Sequence, residues 1–212
     1  MTRCKCDDDR DSEARTNRQR TSVIPTSSPT AVNEQLRVLL RVTSALESAG
    51  IAYMVTGSIA SAHYSHPRMT RDIDVVVELQ PDDAERIVAP FGDEFDCQLE
   101  TIRVAIERRS VFNLIHTDAI VKVDFVVRKD TPYHREEFGR RRHGTVNGHN
   151  VWLVSPEDSI LSKLLWAKDS RSELQLRDVR QLISAQADLD WSYLNLWAPQ
   201  LGVADLLRES RS

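Results

Sequence analysis

Apolar residues along the chain follow two rhythms, one helical and one strand-like, and the order of the two predicts the architecture. From Asn33 the positions Leu36, Leu39, Leu40, Val42, Ala45 and Leu46 recur at helical spacing and Gly50 supplies a stop, which predicts a first helix ending at about Ala49. The β-rich run IAYMVT then enters Gly57-Ser58 and the small, helix-compatible IASAHYS, giving strand, glycine turn and helix. DIDVVVEL reads as a second strand, and PDDAERIVAPF as a helix that opens on Pro81 with acids in its first turn. LETIRVAIERR fits either a helix or a pair of strands. SVFNLIH and AIVKVDFVV read as a hairpin about a Thr117-Asp118 turn.

After Tyr133 a charged helix is predicted to reach Arg142, GTVNGHNVWLVS forms a second hairpin turned at Asn147-Gly148, and from Pro156 onward the spacing is helical. The expected fold class is α+β: a small mixed sheet flanked by helices over residues 31–155, followed by a C-terminal helical domain over 156–212. Trp152, Trp166, Trp191 and Trp197 are expected to pack the helices of that back half. Residues 1–30 are charged or small and polar with almost nothing apolar, so a disordered tail is expected, because ordering it costs entropy that no burial offsets.

Composition narrows the function. A chain of 212 residues with 41% hydrophobic content can bury an ordinary core. The net charge of -4 provides no global pull towards nucleic acid or an anionic membrane, so any nucleotide must be held locally. No stretch reaches the roughly 18 apolar residues of a spanning helix and the N-terminus lacks the apolar run of a signal peptide, so no membrane partner and a cytoplasmic location are expected. Cys4, Cys6 and Cys97 make no disulfide framework.

Within this pattern Asp72 and Asp74 are anomalous, two carboxylates at the start of a strand otherwise made of Ile, Val and Leu. Alternate side chains share a face, so both acids converge on one spot, where they repel unless a cation neutralises them. Magnesium suits carboxylate oxygens and substrate phosphates. Asp124 interrupts the later apolar run and could add a third acid beside the first two, enough for two ions. Gly57-Ser58 lies at a helix start, where backbone N–H groups favour an anion and the serine hydroxyl could donate to the same phosphate. A phosphate-binding turn with an acid trio describes in-line phosphoryl or nucleotidyl transfer. Structural roles compete at each position: a solvated edge for Asp72-x-Asp74, a plain N-cap for Ser58, ion pairing for Arg68 and Arg71, and a solvated helix face for HREEFGRRRH in place of an RNA track.

The stretches GSIA, RMTRDIDVVV and VKVDFVV resemble the nucleotidyltransferase superfamily of the DNA polymerase beta type, whose pattern is Gly-Ser or Gly-Gly, Asp-x-Asp and a later third Asp. The resemblance covers roughly Val55 to Leu182. Within the superfamily, Arg68, Thr70 and Asp72-Ile73-Asp74 resemble the AbiEii-type toxin nucleotidyltransferases, although Gly57-Ser58-Ile59 stands where many of those carry Gly-Gly-Thr and the C-terminal part is short. The resemblance implies Asp72, Asp74 and Asp124 as ligands of two magnesium ions. It implies Gly57, Ser58, Arg68, Thr70 and Lys163 as nucleotide-binding residues, with Lys163 and Asp178 joining the three acids in catalysis. Lys163 would meet the triphosphate as a point charge, and Asp178 would orient that lysine or help accept a proton. The implied activity moves a nucleoside monophosphate from a nucleoside triphosphate such as ATP to an acceptor hydroxyl on an RNA end such as tRNA, on a protein or on a small molecule, and on the toxin side it implies a cognate antitoxin. Two other functions fit the same residues. One is a non-catalytic module that binds nucleotide or protein partners. The other is an antibiotic-modifying enzyme whose cationic acceptor would need an acidic pocket, for which PDDAERI and GDEFD supply acids.

Overall fold

A computed structural model of the chain describes residues 29–65, 72–170 and 172–211. Of the tail predicted over 1–30, residues 1–28 lie outside the described residues, as do the candidates Arg68, Thr70 and Arg71, while residues 29 and 30 already belong to the first helix and not to a tail. Helix α1 (Pro29–Ser48) leads through β1 (Tyr53–Val55) and α2 (Gly57–Tyr64) to β2 (Ile73–Val77), α3 (Ala84–Val88), β3 (Phe95–Asp96), α4 (Leu99–Arg108), β4 (Val111–His116) and β5 (Val121–Val127). Then come α5 (Pro132–Gly139), β6 (Arg142–Val146), β7 (His149–Leu153), α6 (Pro156–Ser170), α7 (Glu173–Ala185), α8 (Trp191–Leu201) and α9 (Ala204–Glu209).

The seven strands form one mixed sheet in the order β3-β4-β5-β2-β1-β7-β6, in which β2 runs parallel to β5 and antiparallel to β1. Alternation decides its faces. Ile73, Val75 and Val77 of β2, Val123, Phe125 and Val127 of β5, and Phe112 and Leu114 of β4 are buried against Val38, Leu39, Val42 and Leu46 of α1, Ile87 of α3 and Ile102 of α4. The intervening residues, among them Asp74, Asp124 and Asn113, point to the other face. A second apolar cluster joins Ile160, Leu161 and Leu164 of α6 to Val179 and Leu182 of α7 and Leu194 of α8, with Tyr133 of α5.

Several elements sharpen or correct the sequence-based expectations. LETIRVAIERR is a helix, α4, which presents Ile102, Ala105 and Ile106 to the core and stops where Arg109 turns left-handed at φ 47°. Both hairpins are present; Asn147 and Gly148 take φ of 50° and 83°, the positive pair that a tight two-residue hairpin turn requires. The charged helix is shorter than expected. Its end is Gly139, because Arg141 turns its guanidinium back to the Phe138 carbonyl at 2.7 Å and Arg142 is drawn into β6 opposite Leu153. Trp166 is 72% exposed, off the buried stripe of Ile160, Leu161, Leu164 and Ala167, and Trp152 lies on β7 against the His143 ring at 3.5 Å, so these two do not pack the helical half. Among the described residues no helix is long and apolar enough to cross a membrane.

Candidate functional site

The register of β2 against β5 sets Asp74 directly beside Asp124. Adjacent strands lie about 4.8 Å apart, so two carboxylates that the sequence separates by fifty residues stand as neighbours on one face of the sheet. Asp72 is exposed, immediately ahead of β2, where its main-chain carbonyl accepts from Gln35 Nε2 at 3.2 Å. Burial, followed by the charges of Asp124 and Asp72, raises the Asp74 pKa; Lys163 and Lys122 oppose the shift.

The turn into α2 is built around the same carboxylate. Thr56 N–H donates to the Asp74 carbonyl at 2.9 Å, and Gly57 follows with φ 63°. A Cβ on Gly57 would stand 2.0 Å from Asp74 Oδ2. The glycine therefore makes room for the protein's own carboxylate as well as supplying the left-handed turn. Ser58, one residue on, is 7% exposed and its Oγ has no hydrogen-bond partner among the described residues. A buried hydroxyl left in this way costs free energy, and a ligand oxygen would satisfy it.

Two lysines complete the electrostatics. Lys122, two residues before Asp124 on the same strand face, places Nζ 2.8 Å and 2.9 Å from the two Asp124 oxygens, and this bond, with the charges of Asp124, Asp72 and Asp74, raises the lysine's pKa. Lys163 on α6 and Asp178 on α7, each 6% exposed, pair at 2.8 Å, and Gln175 Oε1 lies 3.4 Å from the same Nζ. The proximity of Lys163 to Asp74 is felt as an opposing charge. The structure thus brings Gly57, Ser58, Asp74 and Asp124 together with Asp72 at the rim, and shows Lys163 and Asp178 as a buried pair that bears on them.

Among the described residues no three His, Cys, Asp or Glu side chains are gathered as a ready metal site. The chemistry of the donor set nevertheless fits a hard divalent cation. The ligands on offer are carboxylate oxygens, and the burial of Asp74, with the repulsion from Asp124 and Asp72 that adds to it in raising its pKa, is what such a cation offsets.

Two features of the surroundings were not singled out from the sequence. Lys122 was legible in principle, as a lysine at i−2 from an acid on a strand. The other is the buried start of α6. Asp158, fully buried, accepts from Ser155 Oγ and Tyr193 OH, both at 2.6 Å, while Glu157 accepts from Asp190 N–H at 3.0 Å and pairs with Arg140 and Arg142. Its signal was the Ser155-Pro-Glu-Asp158 spacing of a helix cap.

Residues 35–195 match the family described as nucleotidyl transferase of unknown function, DUF2204. The chain belongs to this family of nucleotidyltransferases. No curated protein sequence matches it significantly. Solved structures show the same fold at low identity. The antigenic nucleotidyltransferase-like protein of Paracoccidioides brasiliensis is 18% identical at a TM-score of 0.51, over 83% of this chain and 93% of that one. The antibiotic-resistance factor ANT(2'')-Ia in its solution structure is 13% identical at a TM-score of 0.54, over 82% and 96% of the two chains. The same factor in complex with adenylyl-2''-tobramycin is 15% identical at a TM-score of 0.51, over 84% and 97%. As a DUF2204 nucleotidyltransferase, the chain places its Asp-x-Asp strand and its third acid on neighbouring parallel strands.

Proposed function

We propose that this nucleotidyltransferase moves a nucleoside monophosphate from a nucleoside triphosphate to an acceptor hydroxyl at the face of the sheet that carries Asp74 and Asp124. The observation that carries the proposal is the juxtaposition of that acid pair with Gly57, whose Cα approaches Asp74 so closely that no side chain fits between them. The site thereby joins an anion-binding helix start to a cation-binding acid pair.

Asp72, Asp74 and Asp124 would hold magnesium, two ions in the fullest case, which bound there screens the triphosphate's charge and acidifies the attacking hydroxyl. The backbone N–H groups at the start of α2 and the Ser58 hydroxyl take phosphate oxygens. Lys163 supplies positive charge to the departing pyrophosphate, with Asp178 and Gln175 fixing the position of its ammonium group. Asp124, beside Asp74, serves as a cation ligand or assists the acceptor's proton, and Lys122 holds its carboxylate in place. Roles for Arg68 and Thr70 in nucleotide binding rest on the resemblance of the Arg-x-Thr-x-Asp-Ile-Asp run, and so do the AbiEii-type toxin assignment and a cognate antitoxin. The adenylylated tobramycin named for one structural neighbour makes a small-molecule acceptor a specific alternative to an RNA end or a protein.

The test is calorimetry of each nucleoside triphosphate with and without magnesium, followed by transfer of α-phosphate label. Wild type should bind nucleotide only with the metal, and Asp74→Asn and Asp124→Asn should each lose that binding while remaining folded. Unchanged magnesium-dependent affinity in both variants refutes the site.

A further inference from the structure

We infer that Lys122 is a resident counter-ion of the acid site: in the free protein its ammonium occupies Asp124, and it yields that carboxylate to a metal ion only when a triphosphate arrives to receive the lysine. This role rests on the metal and nucleotide site proposed above.

The strand brings the two groups together. Lys122 and Asp124 are two residues apart on β5, so their side chains leave the same face of the sheet, the face that also carries Asp74. Lys122 Nζ donates to Asp124 Oδ2 at 2.9 Å. Oδ1 lies 2.8 Å from the same nitrogen, yet it is buried and receives no hydrogen bond among the described residues. One ammonium thus neutralises the carboxylate while satisfying only one of its oxygens. A buried oxygen left in that way costs free energy, and a hard cation would satisfy it.

The charges of Asp72 and Asp74 also bear on Lys122, so this one ammonium faces all three acids. Within this group of four, three negative charges and one positive leave a deficit that a single divalent ion cancels. A second ion must displace the lysine or come with anions of its own, and a triphosphate supplies those. The Lys122 side chain is 44% exposed and that of Asp124 19%, so the lysine can swing on its four-carbon stem while the carboxylate stays in place. Its release costs the fold little, because a partly exposed ion pair contributes little to stability. Lys163, the other cation that bears on Asp74, lacks this freedom, being buried and bonded to Asp178 at 2.8 Å. The two lysines therefore differ in kind: one is fixed in the helical half, and the other exchanges between an acid and a phosphate.

The test compares the full-length wild type with Lys122→Met, which keeps the stem and removes the charge, and with Lys122→Arg, which keeps the charge. Manganese is titrated without nucleotide, the free ion being counted by electron paramagnetic resonance. ATP and AMP are then titrated by calorimetry at saturating magnesium. Lys122→Met should bind free manganese about five-fold or more tightly than wild type and ATP about three-fold or more weakly, with AMP unchanged. These effects have opposite signs, whereas a merely structural loss would weaken both ligands. Lys122→Arg should bind manganese no more tightly than wild type. In an Asp124→Asn background Lys122→Met should lose most of its gain in manganese affinity, because the lysine acts chiefly through that carboxylate. Manganese binding that is unchanged or weaker in Lys122→Met, a tightening by Lys122→Arg, an equal gain in the Asp124→Asn background, or unaltered ATP affinity overturns the inference. Failure of the underlying site shows itself separately, as retention of magnesium-dependent ATP binding by Asp74→Asn.

Discussion

Gly57→Ala is the substitution that most directly probes how the site is built. Two costs act at this position. At φ 63° an alanine pays the left-handed penalty, about 1–2 kcal/mol. Its Cβ would also stand 2.0 Å from Asp74 Oδ2 and 2.7 Å from Cγ, so the carboxylate must move; overpacking of this kind costs roughly 1–3 kcal/mol more. The sum, about 2–5 kcal/mol, lowers the melting temperature by roughly 5–15 °C in a chain of this size. Gly50→Ala separates the two costs, because Gly50 has the same φ of 63° but no atom within 4 Å of its would-be Cβ. It should lose only the conformational share, about 1–2 kcal/mol, and bind nucleotide like wild type. Gly57→Ala should in addition lose magnesium-dependent nucleotide affinity by at least ten-fold, about 1.4 kcal/mol, because the displaced Asp74 no longer lies beside Asp124. Paired thermal unfolding and calorimetry of the two variants decide the matter. If they melt together and both bind nucleotide normally, the close approach of Gly57 to Asp74 has no functional weight and the construction of the site is wrong.

Asp74→Asn should raise the melting temperature in metal-free buffer at pH 7. A carboxyl whose folded pKa is raised contributes stability only while protonated and opposes folding once pH exceeds that pKa, so a neutral amide removes the opposition; a clear loss of stability would point to a structural ion pair instead. Lys163→Ala should cost about 3–5 kcal/mol in urea unfolding by removing the buried cation that pairs with Asp178, whereas Lys163→Met with Asp178→Leu should cost much less; equal losses in the two would show that the ion pair is not what the packing needs. Glu137, buried beside Asp158 and accepting from Ser162 Oγ at 2.9 Å, has its pKa pushed up to about 8. Its stabilising share is complete below the unfolded value near 4.5 and is lost as pH rises through about 8, at about 1.4 kcal/mol per pH unit. Glu137→Gln should flatten that slope in denaturation measured from pH 5 to pH 9, and an unaltered slope would place the titration elsewhere.

What was legible in the sequence followed local periodicity. Alternation around Asp74 and Asp124 placed each on a strand face, Asn147-Gly148 marked its hairpin, and the order of elements gave the α+β class. What local pattern could not supply was pairing. No spacing rule states that β2 lies parallel to β5 with Asp74 opposite Asp124, because that register is set by the fit of Ile73, Val75 and Val77 beside Val123, Phe125 and Val127 in the common core. The end of α5 was misplaced for a related reason: HREEFGRRRH has helical composition throughout, but Arg142 gains more as the first residue of a hairpin strand. Trp166 looked like core because tryptophan usually is, yet its position on α6 lies off the stripe that faces α7 and α8. The burial of Glu137 and Glu157 was hidden, since a carboxylate in a helix reads as surface until tertiary contacts supply Ser162 and Arg140, whereas Asp158 was marked only by its cap spacing from Ser155 and not by its contact with Tyr193.

The small residues of GSIASA acquire their reason only when α2 is seen between two packing partners. On one side its start rests on Asp74 of β2. On the other, α2 touches α6 and α7, and Gln186 at the end of α7 donates to the Tyr64 carbonyl at the end of α2 at 2.5 Å. Ser58, Ala60 and Ser61 are all buried in this sandwich, where larger side chains would force the helices and the sheet apart. The spacing so maintained is the distance from the acid pair on the sheet to Lys163 on α6, whose charge, under the proposed function, would act on the same phosphates that the acids engage through metal. A helix of small residues at that position would then be what allows one strand-borne anion pair and one helix-borne cation to serve a single triphosphate, although α2 lies between two different apolar clusters.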